Sequence, residues 1–307
     1  MITEKTAFLF SGQGSQYEGM GVSLVEKYPS LKEIFDEASE ILGFDLFDKC
    51  ANAPAEELAK TVVSQPAIMA VSLCAAEALR MNGVFASAAA GHSLGEYAAM
   101  VYTGMVSRAD GFKLIKARSE SMQKAAEANK GAMFAIVGAA AEDIEKVCEE
   151  TEGYVVPVNY NSSVQTVIAG EEAAAQAAAD VLAAKGARAI RLNVASAFHS
   201  KLMQSAADEF KPQAEKFTFN APQITMFSNI TGEVLDSVDA MPDRLAKHIV
   251  SPVRFTTELA NLSGAGYDTF IECGPGKVLT GLVKKTLKGV NAANVQDADS
   301  LEKALAL

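Results

Sequence analysis

Gly91-His92-Ser93-Leu94-Gly95 is the stretch on which the reading of this chain turns. It follows a run of small residues at 84–90 and leads into Glu96-Tyr97-Ala98-Ala99-Met100, which has the pattern of a helix. A strand, a Gly-x-Ser-x-Gly turn and a helix together are the sequence form of a nucleophile elbow. Flanking glycines let the backbone turn sharply, so that a serine hydroxyl projects at a helix N-terminus. Free amides and the helix dipole favour a developing negative charge there. A chance Gly-Ser turn opening an ordinary helix would share the five letters. The strand before and the helix after favour the elbow.

Outward from this point the chain alternates apolar runs with helical patterns. Residues 6–10 read as a buried strand ending at the glycine-rich Ser11-Gly12-Gln13-Gly14-Ser15-Gln16. Ser64-Gln65-Pro66 predicts a helix start and Asn82-Gly83 its stop. Gly104 closes the helix after the elbow, and Ser107 caps the next, which runs to about Glu127. The alternation points to a parallel sheet covered on both faces. Character changes at Asn129-Lys130-Gly131. Strands at 132–137, 154–158, 164–169 and 188–194, with helices at 142–149 and 171–185, give the order β-α-β-β-α-β of a ferredoxin-like motif. Asn159-Tyr160-Asn161-Ser162-Ser163 is read as the link between its middle strands. The alanine-rich stretch 173–184 is plain helix propensity. Thr269-Phe270-Ile271-Glu272 reads as another strand, and the remainder from Lys277 as helical. The expected fold class is therefore α/β. A larger, α/β-hydrolase-like domain with a parallel sheet comprises residues 1–128 and 196–307, and a ferredoxin-like small subdomain, 129–195, is inserted in it.

Bulk properties narrow the function classes. A 307-residue chain that is 49% hydrophobic can bury a sizeable core, and its net charge of −11 disfavours a general nucleic-acid binder. No segment reaches the roughly 18 uninterrupted apolar residues of a membrane span. The longest candidate, 67–79, is broken by Ser72 and Glu77. Met1-Ile2-Thr3-Glu4-Lys5 lacks the basic and apolar pattern of a secretory signal. Cys50, Cys74, Cys148 and Cys273 are scattered without a C-x-x-C pair, so buried free thiols and a cytoplasmic location are expected, and a monomer is the simplest assembly.

A nucleophilic serine needs a base, and the chain has three histidines. His92 adjoins the serine, where neighbouring side chains diverge, and suits a structural or hydrogen-bonding role. His248 lies in Leu245-Ala246-Lys247-His248-Ile249, a helical pattern that reads as surface or satisfied core. His199, in Ser196-Ala197-Phe198-His199-Ser200, falls where the chain leaves the small subdomain, at a junction of the kind where clefts form. His199 is the candidate base. No acid stands out as a third member, and a backbone carbonyl suffices to orient a Ser-His dyad. Leu114, Arg118 and Met122 share one helical face. A guanidinium in an apolar stripe is costly unless paired, so Arg118 reads as an internal ion pair, a snorkelling side chain or a clamp for a substrate carboxylate. There is no metal-ligand cluster. Gly12-Gln13-Gly14 lacks the P-loop ending and suits a tight loop offering amides to an oxyanion.

These residues resemble the malonyl-CoA:acyl carrier protein transacylase family. The resemblance is carried by Phe10 to Gln16, the elbow through Tyr97, Lys116-Ala117-Arg118-Ser119, Asn159-Tyr160-Asn161, Gln165 to Gly170, and Ala197-Phe198-His199-Ser200. Ser251-Pro252-Val253-Arg254-Phe255 and Gly274-Pro275-Gly276-Lys277-Val278-Leu279 complete it, in order, over nearly the whole chain. It implies a two-step transfer in fatty-acid synthesis: Ser93, deprotonated by His199, takes malonyl from malonyl-CoA, and the phosphopantetheine thiol of acyl carrier protein collects it. It further implies an oxyanion hole from the Gln13 and Leu94 amides, Arg118 on the malonyl carboxylate, and Phe198 as a malonyl-selecting residue. No cofactor of the enzyme's own is implied, since coenzyme A is part of the substrate and phosphopantetheine belongs to the partner. Two positions depart from the family pattern. Ser11 replaces a proline, and His248 stands where many members carry a glutamine whose main-chain carbonyl orients the histidine. Lys277, Lys284, Lys285 and Lys288, with Lys185, Arg188 and Arg191, are candidates for meeting an acidic carrier protein, or are solvated surface charge. The alternatives are a serine esterase or thioesterase of α/β-hydrolase type, with an acid between serine and a C-terminal histidine, and a non-catalytic carrier binder.

Overall fold

The computed structural model describes residues 4–194 and 196–307. Its centre is β1, Thr6–Phe10, every residue of which is buried. Alternate side chains enter different cores: Phe8 and Phe10 pack on one face with helix Thr61–Met81, whereas Ala7 and Leu9 join Leu259 and Val283 on the other. A strand apolar on both faces must be covered on both, as in parallel sheets. β1 pairs in parallel with β2 (Ala88–Gly91) and β8 (Thr269–Cys273). β7 (Thr225–Met226) and β9 (Asn291–Val295) complete the five-stranded order β7-β2-β1-β8-β9. All four pairings are parallel. The loops after β1, β2 and β8 therefore leave the same edge of the sheet, the edge at which open α/β sheets bind ligands.

A second sheet holds β3 (Ala132–Val137), β4 (Val155–Ser162), β5 (Gln165–Gly170) and β6 (Arg188–Arg191) in the antiparallel order β4-β5-β3-β6. Helices Ala141–Glu150 and Glu172–Ala184 cover one face, with Phe134 and Ile136 meeting Ile144, Ala175 and Leu182. Its other face, including Met133, Ala135 and Val167, joins the main core. This is the expected β-α-β-β-α-β unit. Ala195, the expected last residue of the small subdomain, lies outside the described residues, as do Met1, Ile2 and Thr3.

Four local expectations are corrected. Asn159 to Ser162 belong to β4 instead of a link, because Asn159, Tyr160 and Ser162 pair with Val167, Thr166 and Gln165 of β5, while Val253 donates to Val158 O (2.8 Å) and Tyr160 donates to Val253 O (2.9 Å). That pairing with the large domain gives the polar residues a second strand-like neighbour. β6 stops at Arg191, short of Val194. The long helix begins at Thr61, with Pro66 inside it, because the Gln123 side chain accepts from Thr61 N at 3.0 Å and so caps the helix from a distant segment. Its most apolar 18-residue window is 89% buried, which accounts for its composition as a core helix. Finally, the remainder after Lys277 is not all helical. Between helices Val278–Thr286 and Ala298–Leu305 lies β9, whose Asn-Ala-Ala-Asn-Val sequence has weak strand propensity but finds β8 as partner.

The turn after β2 crosses the end of β1 with no room for a side chain. A Cβ on Gly95 would stand 2.1 Å from Phe10 O, and one on Gly91 2.1 Å from the Gly95 carbonyl carbon. Gly281, within helix Val278–Thr286, has open space instead. Gly95→Ala is expected to lower unfolding stability by about 3 kcal/mol or more through forced overpacking. Gly281→Ala should raise stability by up to about 1 kcal/mol through helix propensity. Urea unfolding of both variants checks the pair, and similar effects at the two sites would contradict this packing.

Candidate active site

The sharp turn of the elbow falls on the serine itself. Ser93 has φ 56°, in the left-handed region, while its flanking glycines serve close approach and carry no positive φ. His199 has φ 62°. Among the described residues these are the only non-glycine positions with positive φ, and such a conformation costs about 1–3 kcal/mol each. The strain falls on the two residues that meet. Ser93 Oγ lies 2.7 Å from His199 Nε2.

The imidazole's other nitrogen fixes the tautomer. His199 Nδ1 sits 3.0 Å from His248 O and 3.1 Å from Ser251 O, two acceptors that require it to carry the proton. Nε2 thus presents a lone pair, to which the serine hydroxyl donates. Among the described residues no carboxylate takes the third position of a hydrolase triad, and the orienting group is main chain. Burial pulls His199 down to about 3, with the Arg118 charge as the next cause, so the imidazole is neutral near pH 7. His248 is itself fully buried, with its ring 5.4 Å from that of His199. It is neither a surface residue nor a satisfied one, since its Nδ1 has no partner.

Arg118 is brought to the same point. It is 0% exposed, and its Nη2 donates to Ser93 Oγ at 3.1 Å while Nη1 donates to Gln65 Oε1 at 2.7 Å. Its guanidinium stacks over the Tyr97 ring at 5.3 Å, and its Nε lacks a partner. Among the described residues it forms no ion pair, which removes the internal-pair reading, and full burial removes the snorkelling one. Burial lowers its pKa, opposed by Tyr97 and Glu96. Gln65 enters the sequence reading only in the helix-start signal Ser64-Gln65-Pro66, with no role at the site. It is buried, and its Nε2 reaches Gln13 Oε1 at 3.3 Å, so it links the arginine to the loop after β1. Its only further sequence signal is a long polar side chain in a mostly apolar helix.

A cleft of about 520 Å³ opens over this point between the two sheets. Gln13, His92, Ser93 and Phe198 line it from the larger part, and Asn161 and Gln165 from the smaller. Among the described residues neither the Gln13 nor the Leu94 amide has a partner within the chain, so both are free to donate. The Leu94 side chain is buried in the main core. His92 Nε2 meets Asn161 Oδ1 at 2.8 Å and bridges the two parts. Behind the elbow lies Asn229, which accepts from Ser93 N at 2.7 Å and was also missed by sequence reading. Of the candidate docking residues, Arg191 is engaged with Glu172.

Parallel sheet, elbow serine and facing imidazole define the class, α/β proteins with a nucleophile elbow. Comparisons with known proteins narrow it. Residues 7–304 match the family described as "Acyl transferase domain". Malonyl CoA-acyl carrier protein transacylase of Escherichia coli strain K12 is 40% identical over 305 residues, covering 98% of this chain and 99% of its own. The crystal structure of the protein of that name from Clostridium perfringens superposes with a TM-score of 0.94 at 38% identity, covering 98% of this chain and 96% of that one. A malonyl-transacylase solved with its type II PKS acyl-carrier protein gives the same TM-score and identity, over 98% and 99%. The chain belongs to the acyl transferase domain family.

The electrostatics carry a testable sign. A base works only when neutral, so Ser93 reactivity is lost as pH falls through the His199 pKa. Arg118 pushes that pKa down, and deleting its charge lets it rise. Labelling of Ser93 by a fluorophosphonate should be pH-independent between about 5 and 8 in the wild type, well above a base whose pKa lies near 3. In Arg118→Ala the inflection should move to higher pH. An inflection that stays put, or moves lower, would remove Arg118 as a determinant of the base.

Proposed function

We propose that the chain transfers the malonyl group of malonyl-CoA to the phosphopantetheine thiol of acyl carrier protein, in fatty-acid synthesis, through a malonyl-serine ester. The observation that carries this reading is the fully buried Arg118 guanidinium, 3.1 Å from the nucleophile and without a carboxylate partner. A thioester whose acyl group ends in a carboxylate supplies the missing anion next to the reacting carbon.

The steps balance within the site. Ser93 Oγ attacks the thioester carbonyl while His199 Nε2 takes its proton, and the oxyanion is held by the Gln13 and Leu94 amides. Losing one such donor typically costs about 3 kcal/mol of barrier. Collapse expels coenzyme A as its thiol, with the proton returned from His199, and leaves the ester. The carrier's thiol then gives its proton to His199, attacks the ester carbonyl, and releases Ser93 as the alcohol. Phe198, at the cleft wall, limits the width available beside the acyl group. His248 holds the imidazole in register through its carbonyl. We assign residues 1–128 and 196–307 to the subdomain that carries this chemistry and 129–195 to the small subdomain that closes the cleft. The chain needs no cofactor of its own in this scheme. Four buried free cysteines suit a reducing cytoplasm, and a monomer contains the whole site.

Brief exposure to malonyl-CoA should add one malonyl mass to the wild type and none to Ser93→Ala, read by intact mass. Arg118→Ala should slow malonyl transfer about 100-fold, equivalent to roughly 3 kcal/mol for a lost buried charge pair, with a much smaller loss for acetyl transfer. Equal losses for the two acyl groups would remove the clamp.

A further inference from the structure

Asn229 stands three residues beyond the end of β7, where the β7–β2 pairing brings it beside the elbow at the end of β2. It is 0% exposed, and every polar atom it has is used. Its Oδ1 accepts from Ser93 N at 2.7 Å and lies 3.2 Å from His248 Nε2. Its Nδ2 donates to Gly91 O at 2.5 Å and to Glu258 Oε1 at 2.8 Å. Its main-chain N donates to Glu96 Oε2 at 3.0 Å, and its carbonyl accepts from Arg254 N at 2.8 Å. An asparagine side chain offers two lone pairs and two N–H bonds, and all four find partners here.

The pattern of those partners is what matters. One side-chain amide grips the backbone at Gly91 O and at Ser93 N, and so clasps His92 and fixes the peptide that enters the strained left-handed Ser93. The same oxygen meets the ring of His248, whose carbonyl receives the proton of His199 Nδ1. Ser93 and His199 therefore touch directly at 2.7 Å and are joined a second time through Asn229 and His248. Resting on the reading of Ser93 and His199 as a working dyad, we propose that Asn229 is the positioning residue that holds the two in register, acting through the elbow backbone and the His248 ring and touching neither substrate nor reacting atoms.

Glu96, Glu258 and His248 all face this amide. Burial pushes Glu96 up to about 7 and Glu258 well above the usual carboxylate range, and it pulls His248 well below the usual imidazole value. The surroundings therefore favour neutral groups. This makes Asn229→Asp an informative variant. Protonated, an aspartic acid keeps the acceptor for Ser93 N and supplies one donor in place of Nδ2. Ionised, it loses both donors and adds a charge between two buried acids.

The test follows Ser93 labelling by a fluorophosphonate, in which Oγ forms a bond to phosphorus and fluoride leaves, alongside malonyl transfer. Asn229→Ala should slow labelling on the order of 100-fold and lower kcat similarly, with KM for malonyl-CoA held within about threefold, as expected for misplacement of reacting groups by about 1 Å. Asn229→Asp should label fastest at the acid end of pH 5–8 and lose reactivity as pH rises, while the wild type stays level. Labelling needs no malonyl group, so its loss in these variants supports the positioning role whatever the wild type does with malonyl-CoA. Where Asn229→Ala fails to fold, by circular dichroism, the pH profile of Asn229→Asp decides. Asn229→Ala within twofold of the wild type, or Asn229→Asp with a level profile, overturns the proposal.

Discussion

A positive charge buried without an anion beside the Ser93 hydroxyl is the constraint on which the rest of the site depends. Removing an ion from water costs several kcal/mol, and Arg118 recovers part of that from Gln65, Ser93 and the Tyr97 ring. The charge also opposes protonation of His199. A carboxylate arriving on Arg118 relieves both at once: it supplies the missing counter-ion and lifts the pressure on the base. In the proposed reaction, recognition and activation are thereby one electrostatic event, which favours substrates that carry an anion at the right distance from a thioester carbon.

The scaffold is arranged to hold that charge and the strained dyad together. β1, β2 and β8 end at a common edge, so the loop at Gln13, the elbow and the Gly274 loop converge. The small sheet adds the opposite wall, and its edge strand β4 is tied back at Val253, only two residues after Ser251 lends its carbonyl to His199. Near the end of β8 the buried Glu272 is paired: it accepts from Leu279 N and Thr280 N and so caps the helix Val278–Thr286 that lines the cleft. Left unpaired, such groups would cost about 1–3 kcal/mol each.

Much of this was legible in the sequence where local rules dominate. Thr6 to Phe10 is a strand because every residue suits burial, Ser107 caps its helix through Asp110 N, and Gly83 and Gly104 end helices with positive φ. Ser93, His199 and Arg118 were readable from the turn, the subdomain junction and a charge in an apolar stripe. What was not legible depends on partners far away in the chain. Thr61 starts a helix because Gln123 caps it, Asn159 to Ser162 extend along β5 with Val253 bridged to Asn159 on the other side, and β9 forms against β8 despite its Asn and Ala content. Asn229 lies 136 residues from the serine it holds, and no local pattern marks it. Even the elbow was read with the wrong emphasis: its glycines make space, and the serine itself takes the left-handed turn.

In the proposed reaction Ser93 holds a malonyl group for a thiol and withholds it from water. The decisive measurement isolates the malonyl-enzyme free of coenzyme A and follows its decay with and without a pantetheine thiol. The ester is expected to persist in buffer and to be discharged quantitatively to the thiol, giving malonyl thioester and free enzyme. Decay to free malonate at the same rate whether or not the thiol is present would contradict it.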